Sequence, residues 1–310
     1  MRAREAFTKH DRHLAARTVL DVTRSLGFAD RSMIWLPSSD TVWKTLRGIT
    51  AANIFSPRGL AALRGVRESK VRDLMGYFRG RDGDVVDIRH AVYGCMLSLV
   101  SSAFFSVDVI VRENVTIILL DVFIAGSDTI TATVEWAMAE LFRNPSEMAK
   151  VRAEMDGALG GNKSVDEPDI AKLPYLQAVV KEAMRLHPAA PLLLPHKAVE
   201  DGVEIGGFAV SNAWERPEEF MPERFIRRGD DEVDLWGKTF EFIPFGSGRR
   251  VCAGLPMAER VVPFMLASLL HAFEWRLPDG VSAEELDMSQ KFTIANFRTV
   301  PLKAVPVVVS

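Results

Sequence analysis

Residues 244–254 read PFGSGRRVCAG, and this stretch decides the fold. Gly246, Gly248 and Gly254 surround one thiol, Cys252, which follows the adjacent arginines Arg249 and Arg250. Glycine lets a backbone take positive φ and approach a ligand closely. A basic, glycine-rich loop invites a phosphate, but a P-loop ends in Gly-Lys-Ser/Thr and this one continues as Arg-Arg-Val-Cys. A dinucleotide fingerprint needs a further glycine three residues after Gly248, where Val251 stands. No local signature of a cysteine protease is present. Zinc would want more soft ligands than a chain with two cysteines supplies. What remains is a single thiolate on a large flat cofactor, with arginines for its carboxylates. That description fits a haem iron with an axial cysteine.

The rest of the composition is ordinary for a chain that buries a core. Of 310 residues, 48% are apolar and 25% charged. The net charge of −3 gives no global basic field for nucleic acid. Two cysteines, Cys95 and Cys252, are too few for a disulfide framework, so a reducing compartment is expected. Cys95, in AVYGCMLSLV, reads as a small buried hydrophobe. No run reaches the ~18 apolar residues of a membrane span. The first 17 residues are basic but carry Glu5 and Asp11, a poor signal or transit peptide, and read as a surface helix.

Helical periodicity dominates the pattern. Residues 39–55 form a predicted helix capped by Ser39 or Asp40, and 58–80 a long amphipathic one stopped by Gly80 and Gly83. The segment VVDIRHAVYGCMLSLVSSAFF and the run from about Asn114 to Arg143 are apolar and helical. Asn144 caps the next helix, with Pro145 first and Glu147 closing a capping box. LPYLQAVVKEAMRLHP is a short helix stopped by Pro188. HKAVEDGVEIGGFAV alternates and reads as a hairpin, and FTIANFRTVPLKAVPVVV reads as strand. The fold class is mainly α with a small antiparallel β-sheet.

Phe245, Gly248, Arg250, Cys252 and Gly254 resemble the haem loop Phe-x-x-Gly-x-Arg-x-Cys-x-Gly of the cytochrome P-450 family. The resemblance implies that Cys252 is the proximal iron ligand of haem b and that Arg250 pairs a propionate. Other motifs follow in the family's order. EAMR offers Glu182 and Arg185, and FMPERF offers Arg224, which together resemble the family's buried Glu-Arg-Arg network. AGSDTIT (125–131) resembles its oxygen-binding segment. Small Ala125 and Gly126 let that helix pass close over the haem. Thr129 competes for a backbone carbonyl and, by the resemblance, assists oxygen activation while Asp128 feeds protons. Asp121, Asp128 and Glu135 are spaced by seven and share a helix face, which reads as polar surface or, alternatively, as a proton path. WKTLR gives Trp43 and Arg47, implied to touch a propionate. His196 falls where the family has a third propionate partner, or is a surface histidine.

By the same resemblance the substrate pocket draws on residues 33–36, 118–129, 191–194 and 293–297, all largely apolar. REAFTKHDRHLAAR, FADRSMIWLP and LLLPHKAVEDGVEIGGF are most similar to plant members that hydroxylate terpenoids, the geraniol 8-hydroxylase and ferruginol synthase group. The family fold is incomplete here, within a single domain over 1–310. The membrane anchor and first helix and strands, the helices that roof the pocket (between about 109 and 112), and part of the sheet (near 210–212) have no counterpart. Clean flanks at the internal gaps point to alternative splicing or a mis-assembled gene model. The implied function is a haem-thiolate monooxygenase acting on an apolar substrate. Its electrons come from NADPH through a flavoprotein reductase docking near Arg249 and Arg250. The alternatives are a haem-binding fragment or splice product without turnover, and a non-haem interaction protein or unstable remnant. The family sits on the cytosolic face of the endoplasmic reticulum; without the anchor this chain is expected to be cytosolic or peripheral.

Overall fold

The longest element, α6, runs from Glu113 to Arg143 because nothing between them breaks a helix and most of its C-terminal half is apolar. In this computed structural model the described residues are 2–19, 29–105, 113–160, 164–194, 196–197, 214–226 and 233–309. The other helices are α1 (Arg2–Thr8), α2 (Thr41–Ile49), α3 (Pro57–Ala62), α4 (Arg64–Arg79), α5 (Ile88–Phe105), α7 (Pro145–Leu159), α8 (Pro174–Leu186) and α9 (Leu255–Ala272). Among the described residues, no helix is long and apolar enough to cross a membrane.

The core gathers where α6 meets α5, α8 and α9. Met138 and Leu141 of α6, Leu176 and Val179 of α8, and Met265, Leu266 and Leu269 of α9 are fully buried in one cluster. Each such side chain contributes roughly 1.5–3 kcal/mol of burial. The strands are β1 (Ala16–Arg17), β2 (Val86–Asp87), β3 (His196–Lys197), β4 (Phe273–Arg276), β5 (Gln290–Phe292), β6 (Asn296–Arg298) and β7 (Lys303–Val308). They form three small sheets, β1–β3, β2–β7–β4 and β5–β6, with every pairing antiparallel. In β4 the period of two is clear: Phe273 and Trp275 are buried, Glu274 and Arg276 exposed.

Several sequence expectations change in the structure. Residues 39–55 start as expected, with Asp40 accepting from the Val42 N–H, but the last turn, Thr50–Ile54, is a π-helix. The helix expected over 58–80 is two helices, relaxed at Leu63 (φ −86°, ψ −1°). Gly59 and Gly65 flank that break, each about 1 kcal/mol poorer than alanine in a helix. The capping box at Asn144 does not form. Asn144 turns its amide back to the Glu140 carbonyl at 2.8 Å, and Glu147 is taken by Lys150 and Tyr175. The N-terminal segment is a surface helix only to Thr8; Ala16–Arg17 then pair with His196–Lys197. Beyond Lys197 the expected hairpin lies outside the described residues, as do both internal gap positions.

Candidate haem-binding site

The Cys252 turn is closed from within. The Cys252 N–H donates to the Phe245 carbonyl at 2.9 Å, and Val251 N–H to the Gly248 carbonyl at 3.1 Å. Gly246 (φ +72°) and Gly248 (φ +66°) hold the left-handed backbone that such a turn requires. Gly254, expected to share this role, does not: at φ −83° it precedes α9 as its cap. The backbone N–H groups of Gly254 and Leu255 donate to the Cys252 sulfur, placing it on the positive end of α9. Cys252 is exposed at the surface of the polypeptide, yet its surroundings desolvate the sulfur, and this burial pushes the thiol pKa up. The two N–H groups and the Arg47 charge pull the other way. A bound cation on the sulfur would reverse the balance and keep the thiolate.

Four basic or donor groups expected from the sequence converge beside this loop, and the structure adds a fifth, Arg17. Arg250 is buried. It donates through Nε to the Ala15 carbonyl at 2.7 Å and through Nη2 to the Leu36 carbonyl at 2.5 Å, and it lies 5.0 Å over the Trp43 ring. Trp43 spends its indole N–H on the Met33 carbonyl at 3.1 Å, so the ring supports Arg250 rather than presenting a donor. Arg47 donates to the Val251 carbonyl at 2.6 Å. His196 is half-buried in β3, with Nδ1 2.7 Å from the Leu14 carbonyl. Burial, then repulsion from Arg17 and Arg47, lowers the Arg250 pKa to about 10. Burial alone brings Arg17 to about 10.

Among the described residues, no carboxylate pairs with Arg17, Arg47 or Arg250, and the buried Arg17 Nε has no partner. Three crowded, desolvated guanidinium groups without an anion fit a cofactor that carries its own carboxylates. Residues, sulfur and charge thus suit a haem with two propionates. Arg17 escaped the sequence reading because LAARTVL has no period or motif to mark it. The one available signal was a cation in a segment otherwise expected to be surface.

On α6, the Thr129 hydroxyl donates to the Ala125 carbonyl at 2.7 Å, a back-bond within a continuous helix. Asp128 is half-buried, and burial raises its carboxyl pKa. Val122, one turn before Gly126, packs against Leu36, Trp43 and Leu46, so this part of α6 and the Arg250 cluster share one support. Asp121 and Glu135 are not polar surface. Asp121 is buried, accepting from Ser32 Oγ at 2.6 Å and Met33 N–H at 2.8 Å. Glu135 is fully buried against Arg89 at 2.7 Å and the Leu302 N–H at 2.8 Å. Each fastens α6 to a different neighbour, and no continuous chain of groups joins them to Asp128 among the described contacts.

The expected wall segments meet in pairs, residues 33–36 with 118–129 through Met33 and Asp121, and the 189–194 loop with β6. Asn296 N–H donates to the Ala189 carbonyl at 2.9 Å, joining the 189–194 loop to β6, and Trp136 Nε1 donates to the Asn296 carbonyl at 2.9 Å. Their apolar faces are bare: Leu192 is 91% exposed and Ile294 64%. Of residues 118–129, the side chains of 118–120 lie outside the described set. A separate hollow of about 600 Å³, lined by Glu140, Arg143, Lys150, Arg216 and Glu219, has no contact with this site. Its charges already pair among themselves, Lys150 with Glu147 and Arg216 with Glu219.

Away from the loop, Glu182, Arg185 and Arg224 form one buried cluster. Glu182 accepts from Arg185 Nε at 2.7 Å, Arg224 Nε at 3.0 Å and the Met221 N–H at 2.8 Å. The Arg224 guanidinium also holds the Glu215 and Arg216 carbonyls, tying the 214–226 segment to α8.

Comparison with known proteins agrees with this geometry. The family model for cytochrome P-450 matches residues 110–299. A rice (Oryza sativa subsp. japonica) cytochrome P-450 designated 76M5 is 48% identical, over 99% of this chain and 82% of its own length. Rice ent-cassadiene C11-alpha-hydroxylase 1 is 44% identical over 98% of this chain and 82% of its own length. The alignment with the first runs over 413 positions although the chain has 310 residues, so a large part of the relative has no counterpart here. A zebrafish cytochrome P-450 solved with abiraterone superimposes with a TM-score of 0.83 over 99% of this chain and 91% of its own, at 19% identity. With its Cys252 loop, its fold and these relatives in agreement, the chain belongs to the cytochrome P-450 family of monooxygenases.

Proposed function

We propose that this chain binds haem b through Cys252 and directs one oxygen atom of O2 into a C–H bond of an apolar, terpenoid-sized substrate. The carrying observation is the Cys252 sulfur at the start of α9 facing Arg47, which clusters with Arg17 and Arg250; among the described residues, none of the three has a carboxylate partner. Bound haem would supply the oxygen chemistry. The chain's own residues do the rest. Cys252 holds the iron, and Arg17, Arg47 and Arg250 set positive charge against the propionates. Asp128, whose carboxyl burial pushes above the usual range, stands next in sequence to Thr129 as the candidate proton carrier. The terpenoid assignment is supported by the rice relatives, among them an oryzalexin E synthase at 45% identity, and by the apolar walls at Leu192, Leu194 and Ile294.

Electrons would come from NADPH through a flavoprotein reductase at the membrane surface where the family works. Arg249 remains a candidate contact for it. Arg250 does not, since it is buried and committed to carbonyls. The alignment over 413 positions of a chain of 310 residues favours a second reading, a haem-binding form of low turnover that lacks the roof expected between about 109 and 112. Reconstitution of the purified full chain with haemin decides these readings. A Soret band shifted far to the red on reduction with CO supports both. Product formation with NADPH and reductase selects the first. No red-shifted band rejects both.

A further inference from the structure

We propose that Asp11 is a positioning residue for the Cys252 loop, an inference that rests on Cys252 as the thiolate ligand. Inside the loop, the N–H groups of Gly246, Val251 and Cys252 find carbonyls of the loop and its entry, and the Ser247 hydroxyl holds the Gly237 carbonyl at 2.9 Å. The Arg249 N–H points outward instead. It donates to Asp11 Oδ1 at 2.9 Å, while Asp11 Oδ2 faces Arg249 Nε at 3.4 Å. One carboxylate therefore takes both the backbone and the side chain of the residue three before the cysteine.

The approach is close enough to dictate the neighbouring residue. A Cβ on Gly248 would lie 2.5 Å from Asp11 Oδ1 and 3.1 Å from the Phe7 carbonyl. Glycine is thus required at 248 both for its φ of +66° and for this contact. Phe7 in turn packs edge-on to His196, with centroids 5.3 Å apart, and Ala15 supplies the carbonyl for Arg250. Residues 7–15 form a brace outside the loop, 238 positions away in sequence. A hydrogen bond to a charged group is worth more than a neutral one, so its loss should release the loop by about tenfold.

The test compares Asp11→Ala and Asp11→Asn with the wild-type full chain. Asparagine keeps an acceptor for the Arg249 N–H and gives up only the charge. In the haem-free chain, hydrogen exchange of the amides at 248–252 should be about tenfold faster in Asp11→Ala and intermediate between that and wild type in Asp11→Asn, with α6 and α9 amides unchanged. In the haemin-loaded chain, the ratio of the red-shifted CO band to the unshifted band should fall about tenfold in Asp11→Ala and recover in part in Asp11→Asn. Unchanged loop exchange in Asp11→Ala overturns the brace. Faster exchange that spreads through α6 and α9 overturns it equally, as general loss of structure. If wild type itself lacks the CO band, the haem reading fails, and the exchange measurement decides the brace alone.

Discussion

Glu182→Ala should cost far more than its distance from the thiolate loop would indicate. Glu182 is 0% exposed, and the side chains of Arg185 and Arg224 are 8% and 5% exposed. The substitution removes two ion pairs and the acceptor for the Met221 N–H. Both guanidinium groups stay buried. Arg224 keeps carbonyls of Glu215 and Arg216, and Arg185 keeps that of Glu219, so their charges are partly solvated but no longer neutralised. Breaking a buried pair from one side typically costs ~3–5 kcal/mol. In a chain of this length that corresponds to a Tm lower by about 5–8 °C. Glu182→Gln, which retains an oxygen for Met221 but loses the charge, should fall between. Thermal and urea unfolding followed by circular dichroism give the stabilities, and haem uptake on reconstitution gives the consequence: Glu182→Ala should incorporate little. A loss below about 1 kcal/mol, the range of an exposed pair, with normal haem content would refute the argument. It would mean that water reaches the cluster.

Cys252→His should abolish the far-red CO band while retaining some haem, because imidazole ligates iron without the thiolate's electron donation; an unchanged band would remove Cys252 as ligand. Burial pushes the Asp121 carboxyl up to about 6 against the lowering bonds from Ser32 and from the Met33 and Ile34 backbone. The folded chain therefore binds more protons than the unfolded one between 3.8 and about 6, and this group's contribution makes stability fall as pH rises through that window. The loss is on the order of 2–3 kcal/mol, and Asp121→Asn should flatten it; the same slope in the variant would trace it to another group. Without the roof expected between about 109 and 112, bulk water should reach the pocket. NADPH oxidation with reductase should then yield hydrogen peroxide almost in place of product. Inserting the 109–112 segment of a close relative should raise product per NADPH, and tight coupling in the present chain would show that the residual helices already seal the pocket.

Two kinds of information were written along the chain itself. The Cys252 loop is local: its glycines, arginine and sulfur act within ten residues, so spacing alone carries their chemistry. The helices around Asn114–Arg143 and 174–186 were legible because their apolar runs are long and free of breakers, and Glu182 with Arg185 lies one helical turn apart. What surrounds these pieces was decided only by folding. Asp11 meets Arg249, Ser32 meets Asp121, and Arg89 meets Glu135 across 238, 89 and 46 positions, and no local pattern marks either partner. The regular spacing of Asp121, Asp128 and Glu135 looked like one polar face. The neighbours packed against α6 gave Asp121 and Glu135 separate buried partners and left Asp128 half-open. Arg47 and Arg250 stand in local motifs and Arg17 in none, but nothing in the sequence says that the three meet. The fold alone brings them together, away from water and, among the described residues, without a carboxylate, where like charges are costly until a partner binds.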